Sequence, residues 1–191
     1  MKEEIVGFFM GFLDASLNLI DTWLKVMTKP RLFFREMMGE SGQGEGLVFV
    51  MVLATVEEGS RLIWIGSEYI IIILGITVFI ATPILLHIVA AIQTILLRFV
   101  KKDRNGMSLT VKVICYSLSP CIFMGLTVPF LRVICAVYGW AILVIGIKEA
   151  HGVSMRNALL VTAIPSIIIF GYMLRGLLSI EALVPLFWKF G

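Results

Sequence analysis

The sequence predicts an all-α integral membrane protein, with five transmembrane helices preceded by an amphipathic N-terminal helix. Three observations carry that prediction. Hydrophobic residues make up 59% of the 191 residues, and the mean hydropathy is +0.99. That is more apolar surface than a soluble domain of this length can bury. The run from Tyr69 to Phe99 holds no Asp, Glu, Lys or Arg before Arg98, and a bilayer core of about 30 Å needs only about 20 helical residues. The remaining charges gather at the joints between apolar runs.

The elements follow in order. From about Glu3 to Met27, the residues Ile5, Phe8, Phe9, Phe12, Leu19, Ile20, Trp23 and Met27 recur at helical spacing, while Asp14, Asn18, Asp21 and Lys25 lie largely off that stripe. This amphipathic helix is too interrupted by carboxylates to span, so it is expected on the membrane surface or packed on the membrane domain. The early charges Glu3, Glu4, Asp14 and Asp21 also argue against a cleavable signal peptide. Lys29-Pro30 ends the helix. Arg31 to Met38 forms a short second interfacial piece, and the glycine-rich stretch Gly39 to Gly46 reads as a flexible linker. Residues 1–46 therefore form an interfacial segment and 47–191 the membrane domain.

The expected spans are about Leu47 to Ile65, Tyr69 to Phe99, Leu109 to Gly125, Pro129 to Ile147 and Asn157 to Leu178. Pro83, Pro120 and Pro165 should kink three of them, and each freed carbonyl then needs another donor. Ser108 and Ser154 stand where N-caps belong. The tail Glu181 to Gly191 is too short to span and should lie in the interface.

Lysine and arginine set the orientation. Lys2, Lys25, Lys29, Arg31, Arg35, Arg98, Lys101, Lys102, Arg104, Lys112, Lys148 and Arg156 all fall on one side of a five-span layout. Only Arg61, Arg132, Arg175 and Lys189 fall on the other. The N-terminus is thus expected in the cytoplasm and the C-terminus outside. A re-entrant hairpin of the third and fourth helices, joined by Gly125-Leu-Thr-Val-Pro129, gives the same charge pattern.

The polar residues inside the spans are the candidate site. Glu57 and Glu58 sit mid-span, where a charge costs about 2.5–3.5 kcal/mol on insertion scales. Arg61 lies within one helical turn of both, and Arg132 and Arg175 fall at a similar depth on their own helices. One reading is a structural ion-pair network, with one carboxylate held by Arg61 and the other by Arg132 or Arg175. The other is an ion or proton path. His87 and Gln93 lie beyond Pro83, and a lone intramembrane histidine reads as hydrogen-bonded rather than as a relay or metal ligand.

Several functions find no support. The net charge of +3 forms no basic block for nucleic acid. Cys115, Cys121 and Cys135 match no zinc or haem spacing. No nucleophile elbow or phosphate loop is present, so neither an enzyme nor a cofactor is expected.

The second half carries short motifs in a distinctive order: Tyr116-Ser-Leu-Ser-Pro120, then Trp140, then Gly146-Ile-Lys148, then His151-Gly-Val-Ser154. Residues Tyr116, Ser117, Pro120, Trp140, Gly146, His151, Gly152 and Ser154 together resemble the Yip-domain family, named for Ypt/Rab-interacting membrane proteins. Lys29-Pro30 followed by Phe33 and Phe34 resembles its prokaryotic-type members. The resemblance implies five spans, a cytoplasmic N-terminus and a role in membrane organisation or traffic. The Asp-Leu-x-Gly-Pro element of eukaryotic members is missing, so the resemblance does not extend to a Rab partner.

Two functional expectations follow. The first is a non-enzymatic protein that organises membrane or recruits a protein partner at its cytoplasmic face, with a homo-oligomer as a further option. The second is a small permease or ion-coupled transporter using the intramembrane carboxylates. A polar cavity reaching Glu57 favours the second, and a dry, filled bundle favours the first.

Overall fold

The computed structural model describes residues 18–37, 43–66, 68–101, 106–126 and 128–173, and every regular element among them is helical. Helix α1 is described over residues 18–28 and continues past Lys29 into α2, Pro30–Met37. Pro30 opens α2, because its fixed φ suits a first turn whose N–H is unbonded in any case. The expected amphipathic segment before residue 18, the linker residues 38–42 and the tail lie outside the described residues.

Helix α3 spans Gly44–Ile65 and ends on Gly66 at φ 71°. It begins inside the stretch expected to be linker. The reason is packing: a Cβ at Gly46 would lie 3.3 Å from the Lys112 side chain and 3.4 Å from that of Cys115, so glycine lets α3 lie close to its neighbour. Helices α4 (Ile70–Ile76) and α5 (Thr82–Val100) form one 31-residue helix through a π turn at Thr77–Ala81. There the Thr82 amide reaches back five residues to the Thr77 carbonyl. The π turn sits immediately before Pro83 and reorganises the ladder that the ring interrupts.

Helix α6 (Met107–Ser117) is the centre of the bundle, with every residue from Thr110 to Ser117 buried. Gly106, not Ser108, holds its N-cap position, and Ser108 lies within the first turn. A 3-10 segment, Ser119–Gly125, continues it at a bend of 46°. The break is locally satisfied. Pro120 cannot bond the Tyr116 carbonyl, and the Ser119 hydroxyl donates to that oxygen at 2.7 Å instead. Ser117 donates to Ile114 O at 2.7 Å.

Helix α7 (Pro129–His151) ends on Gly152 at φ 60°. Helix α8 (Met155–Ser166) is N-capped by Ser154, which accepts from the Asn157 amide, and runs through Pro165 into a π segment, Ile167–Met173. Among the described residues, Ile70–Val100 and Pro129–His151 are long and apolar enough to cross a membrane, and the bent α6 pair makes a third if it is one span. Helix α3 has the length, but Glu57, Glu58 and Arg61 interrupt its apolar run.

The described part of α1–α2 packs along α7 rather than across the end of the bundle. Met27 meets Tyr138, whose hydroxyl donates to the Met27 carbonyl; Phe34 lies against Gly146, and Arg35 bonds Glu149 at 2.8 Å. The pairs ascend together, so the two helices run parallel. Trp23 anchors the far end, donating to Ser119 O at 2.8 Å and packing edge-on against Phe123. Asp21 and Lys25 pair at 2.7 Å on the exposed side.

Candidate functional site

Two clusters of chemistry-bearing residues emerge. The first is a cavity of about 250 Å³. Helix α3 contributes Val50, Leu53, Ala54, Glu57, Glu58 and Arg61, a strict three-and-four spacing that puts all six on one face. The 3-10 segment and the residue before it contribute Leu118, Cys121 and Met124, one every three residues as its period requires. Thr77, Ala81, Thr82, Leu85 and Leu86 come from the π turn and the start of α5, Arg132 from the first turn of α7, and Ile169 from the second π segment. Among the described residues, all three π or 3-10 segments thus border one cavity.

Within it, Arg61 forks onto Glu58: Nε donates to Oε2 at 2.7 Å and Nη2 to Oε1. Both side chains are about nine-tenths buried. Glu58, not Glu57, is therefore the carboxylate that pairs within the helix. Arg132 lines the same cavity as Glu57, and its Nε donates to the Met124 carbonyl at 2.9 Å. Arg175 lies outside the described residues. Gly125 is pressed so closely against the Glu57 carbonyl and the Ser60 side chain that no Cβ fits. This glycine fixes the 3-10 segment against α3 at the level of the carboxylates.

His87 is not part of that cavity. Its Nδ1 is 2.7 Å from Pro83 O, which can only accept, so Nδ1 carries the proton and Nε2 accepts from Gln43 at 3.2 Å. Both ring nitrogens of a neutral imidazole are thereby used. Gln93 is fully buried, and neither polar atom of its amide finds a hydrogen-bond partner among the described residues.

The second cluster gathers the motif residues around α2, α6 and α7. Tyr116 packs edge-on against Phe33 at 4.8 Å and at a tilt against Phe49 at 5.0 Å, and Phe33 packs edge-on against Phe34 at 5.4 Å. Beneath them, a Cβ at Gly146 would meet Val113 at 2.6 Å and Phe34 at 2.9 Å. Glycine there is what admits Phe34, which is fully buried. Trp140 donates to Thr162 at 3.2 Å, tying α7 to α8. His151 is buried, with Nε2 3.1 Å from Thr110, while Thr110 is 3.3 Å from Thr94 and Lys101 donates to His151 O at 2.8 Å. These bonds fasten α5, α6 and α7 at one end. Glu149 collects Arg31, Arg35 and Lys148 at 3.5, 2.8 and 2.8 Å.

The motif residues thus serve packing and capping, whereas the cavity holds the charges Glu57, Glu58, Arg61 and Arg132. Among the described residues, no three His, Cys, Asp or Glu side chains come together to hold a metal. Of the polar residues expected from the sequence, Glu57, Glu58, Arg61 and Arg132 line this cavity and His87 does not, while Thr77, Thr82 and Cys121 in the lining and Gly125 beside it were not expected as site residues. The three-residue spacing of Leu118, Cys121 and Met124 was the available signal.

Residues 24–176 match the Yip1 domain. No curated protein and no solved structure matches the chain.

Proposed function

The chain belongs to the Yip1 domain family, and from that premise we propose that it is a non-enzymatic, five-span membrane protein that organises membrane or recruits protein partners at its cytoplasmic face. The spans in this reading are α3, the α4–α5 helix, α6 with its 3-10 segment, α7, and α8 with its π segment. The cytoplasmic end carries α2, Lys101 and Lys148, in keeping with the positive-inside rule; the N-terminus, expected on the same side, lies outside the described residues. One observation carries the functional reading. The motif residues Tyr116 and Gly146 are spent on docking α2, and the outer face of α2 leaves Leu32 and Glu36 exposed, beside the exposed Arg31 and Arg35 that also reach Glu149. That face offers a mixed charged and apolar surface for a partner.

The cavity at Glu57 favours the second reading, a small transporter. Broken helices bordering a polar cavity are how transporters build substrate sites. Against it stands the filled α2 end, where Val113, Ile114, Ile142, Leu143 and Ile147 are fully buried.

A photo-crosslinking side chain at Leu32, compared with one at the outward-facing Ile134, separates the two. Discrete protein adducts in native membranes from position 32 alone support partner recruitment. Absence of adducts at 32, together with a proton or ion flux in liposomes that Glu57→Gln abolishes, would replace it with transport.

A further inference from the structure

We propose that the cavity between α3 and α5 binds a zwitterionic headgroup, an ammonium linked to a phosphate, and that the source is a membrane lipid. The inference goes beyond the family reading and depends only on the chain being embedded in a bilayer.

Charge comes first. The lining holds two carboxylates, Glu57 and Glu58, and two guanidiniums, Arg61 and Arg132. The wall is therefore balanced. A ligand with net charge would leave an uncompensated ion in a poorly solvated site, which is costly. The fork on Glu58 uses two of the five Arg61 N–H donors, and a wholly apolar ligand would answer none of the others. A zwitterion avoids both penalties, because its phosphate can accept from guanidinium N–H groups and its ammonium can donate to carboxylate oxygens.

Size agrees. A volume of about 250 Å³ is many times the roughly 10–15 Å³ that one water needs, room for the about eight non-hydrogen atoms of phosphoethanolamine.

The mouth favours a lipid source. Leu85, 38% exposed, lines the cavity and also belongs to the outer apolar surface with Ile84 and Ile88, 54% and 52% exposed. A headgroup entering past Leu85 keeps its acyl chains against that surface. The π turn at Thr77–Ala81 widens the helix at the same level.

Native mass spectrometry of the full-length protein, released from nanodiscs of equimolar phosphatidylethanolamine and phosphatidylglycerol, tests this. Retained phosphatidylethanolamine should exceed phosphatidylglycerol by about tenfold. Retention in proportion to the bulk mixture would overturn the proposal. Glu57→Gln, which makes the lining net positive, should shift the ratio about tenfold toward phosphatidylglycerol, and an unchanged ratio in the folded variant would overturn the charge argument. Ala54→Phe keeps every charge but fills the cavity, and should lower retained phosphatidylethanolamine about tenfold; undiminished retention would move the lipid to another site. Excess glycerophosphoethanolamine should not displace the lipid. Displacement of the lipid by that excess would overturn the lipid source.

Discussion

The two ends of this bundle solve the same packing problem in opposite ways. At the α2 end, aromatic side chains interlock, and Phe34 fits because residue 146 has no side chain. At the cavity, charged side chains and irregular winding border open space, although Gly125 still brings the 3-10 segment against α3. Glu58 and Arg61 satisfy each other, the Arg132 guanidinium bonds a backbone carbonyl, and both π segments and the 3-10 segment border the space. In a membrane, where lipid is as apolar as leucine, close packing and satisfied polar groups replace hydrophobic driving force. The comparison teaches that side chains fill the space where a small residue admits a large one, and that open space is left where helical winding departs from 3.6 residues per turn.

Several substitutions break or sharpen that contrast. The largest effect falls on the filled end. Phe34→Ala should cost about 3–5 kcal/mol in equilibrium unfolding in mixed micelles, whereas Leu85→Ala at the cavity mouth should cost less than about 1 kcal/mol. Equal losses at the two positions would erase the distinction.

The fork on Glu58 comes next. Glu58→Gln should cost about 3 kcal/mol, because it strands a buried guanidinium. Adding Arg61→Gln should return part of that loss. Additive losses in the double variant would mean that the pair is not the unit described.

Smaller still is the effect of one added methyl group. Gly146→Ala should cost about 1–3 kcal/mol through its clash with Val113 and Phe34. Ala54→Val, which grows into open space, should leave the melting temperature within a few degrees of the parent.

Least of all should be Glu149→Gln. The arginines that Glu149 meets are largely exposed, so the change should cost below about 1 kcal/mol and vanish in high salt. A large, salt-independent loss would show that α2 is held by charge rather than by Phe34.

Much of the fold was legible in the sequence because membrane helices advertise themselves by length and apolarity. The run Tyr69 to Phe99 and the run after Pro129 emerge as helices close to their expected bounds. Ser154 was legible as a cap, since its hydroxyl and the following helical pattern leave little choice. Ser108 misled because glycine at 106 takes the cap position first. The glycine-rich stretch also misled. Propensity reads Gly44 to Gly46 as a linker, but contact with Lys112 and Cys115 makes it the first turn of α3. The candidate site was half legible. Charges stand out against an apolar sequence background, so Glu57, Glu58, Arg61 and Arg132 were visible. Which carboxylate takes Arg61 depends on rotamers and neighbours, and the contribution of Thr77 depends on a π turn that no local pattern encodes. The path of α1 along α7 was equally hidden, because amphipathicity records an apolar face and not the surface that covers it.

The most direct test compares water access at the two ends. With the native cysteines Cys115, Cys121 and Cys135 replaced, single cysteines are introduced by Ala54→Cys in the cavity and Val113→Cys beneath Gly146. Each protein is exposed in sealed membranes to a thiol reagent that needs an ionised, hydrated thiol. The account predicts that position 54 is labelled and position 113 is protected until the protein is unfolded. Labelling of position 113 as fast as position 54, or an inert cysteine at 54, would contradict it.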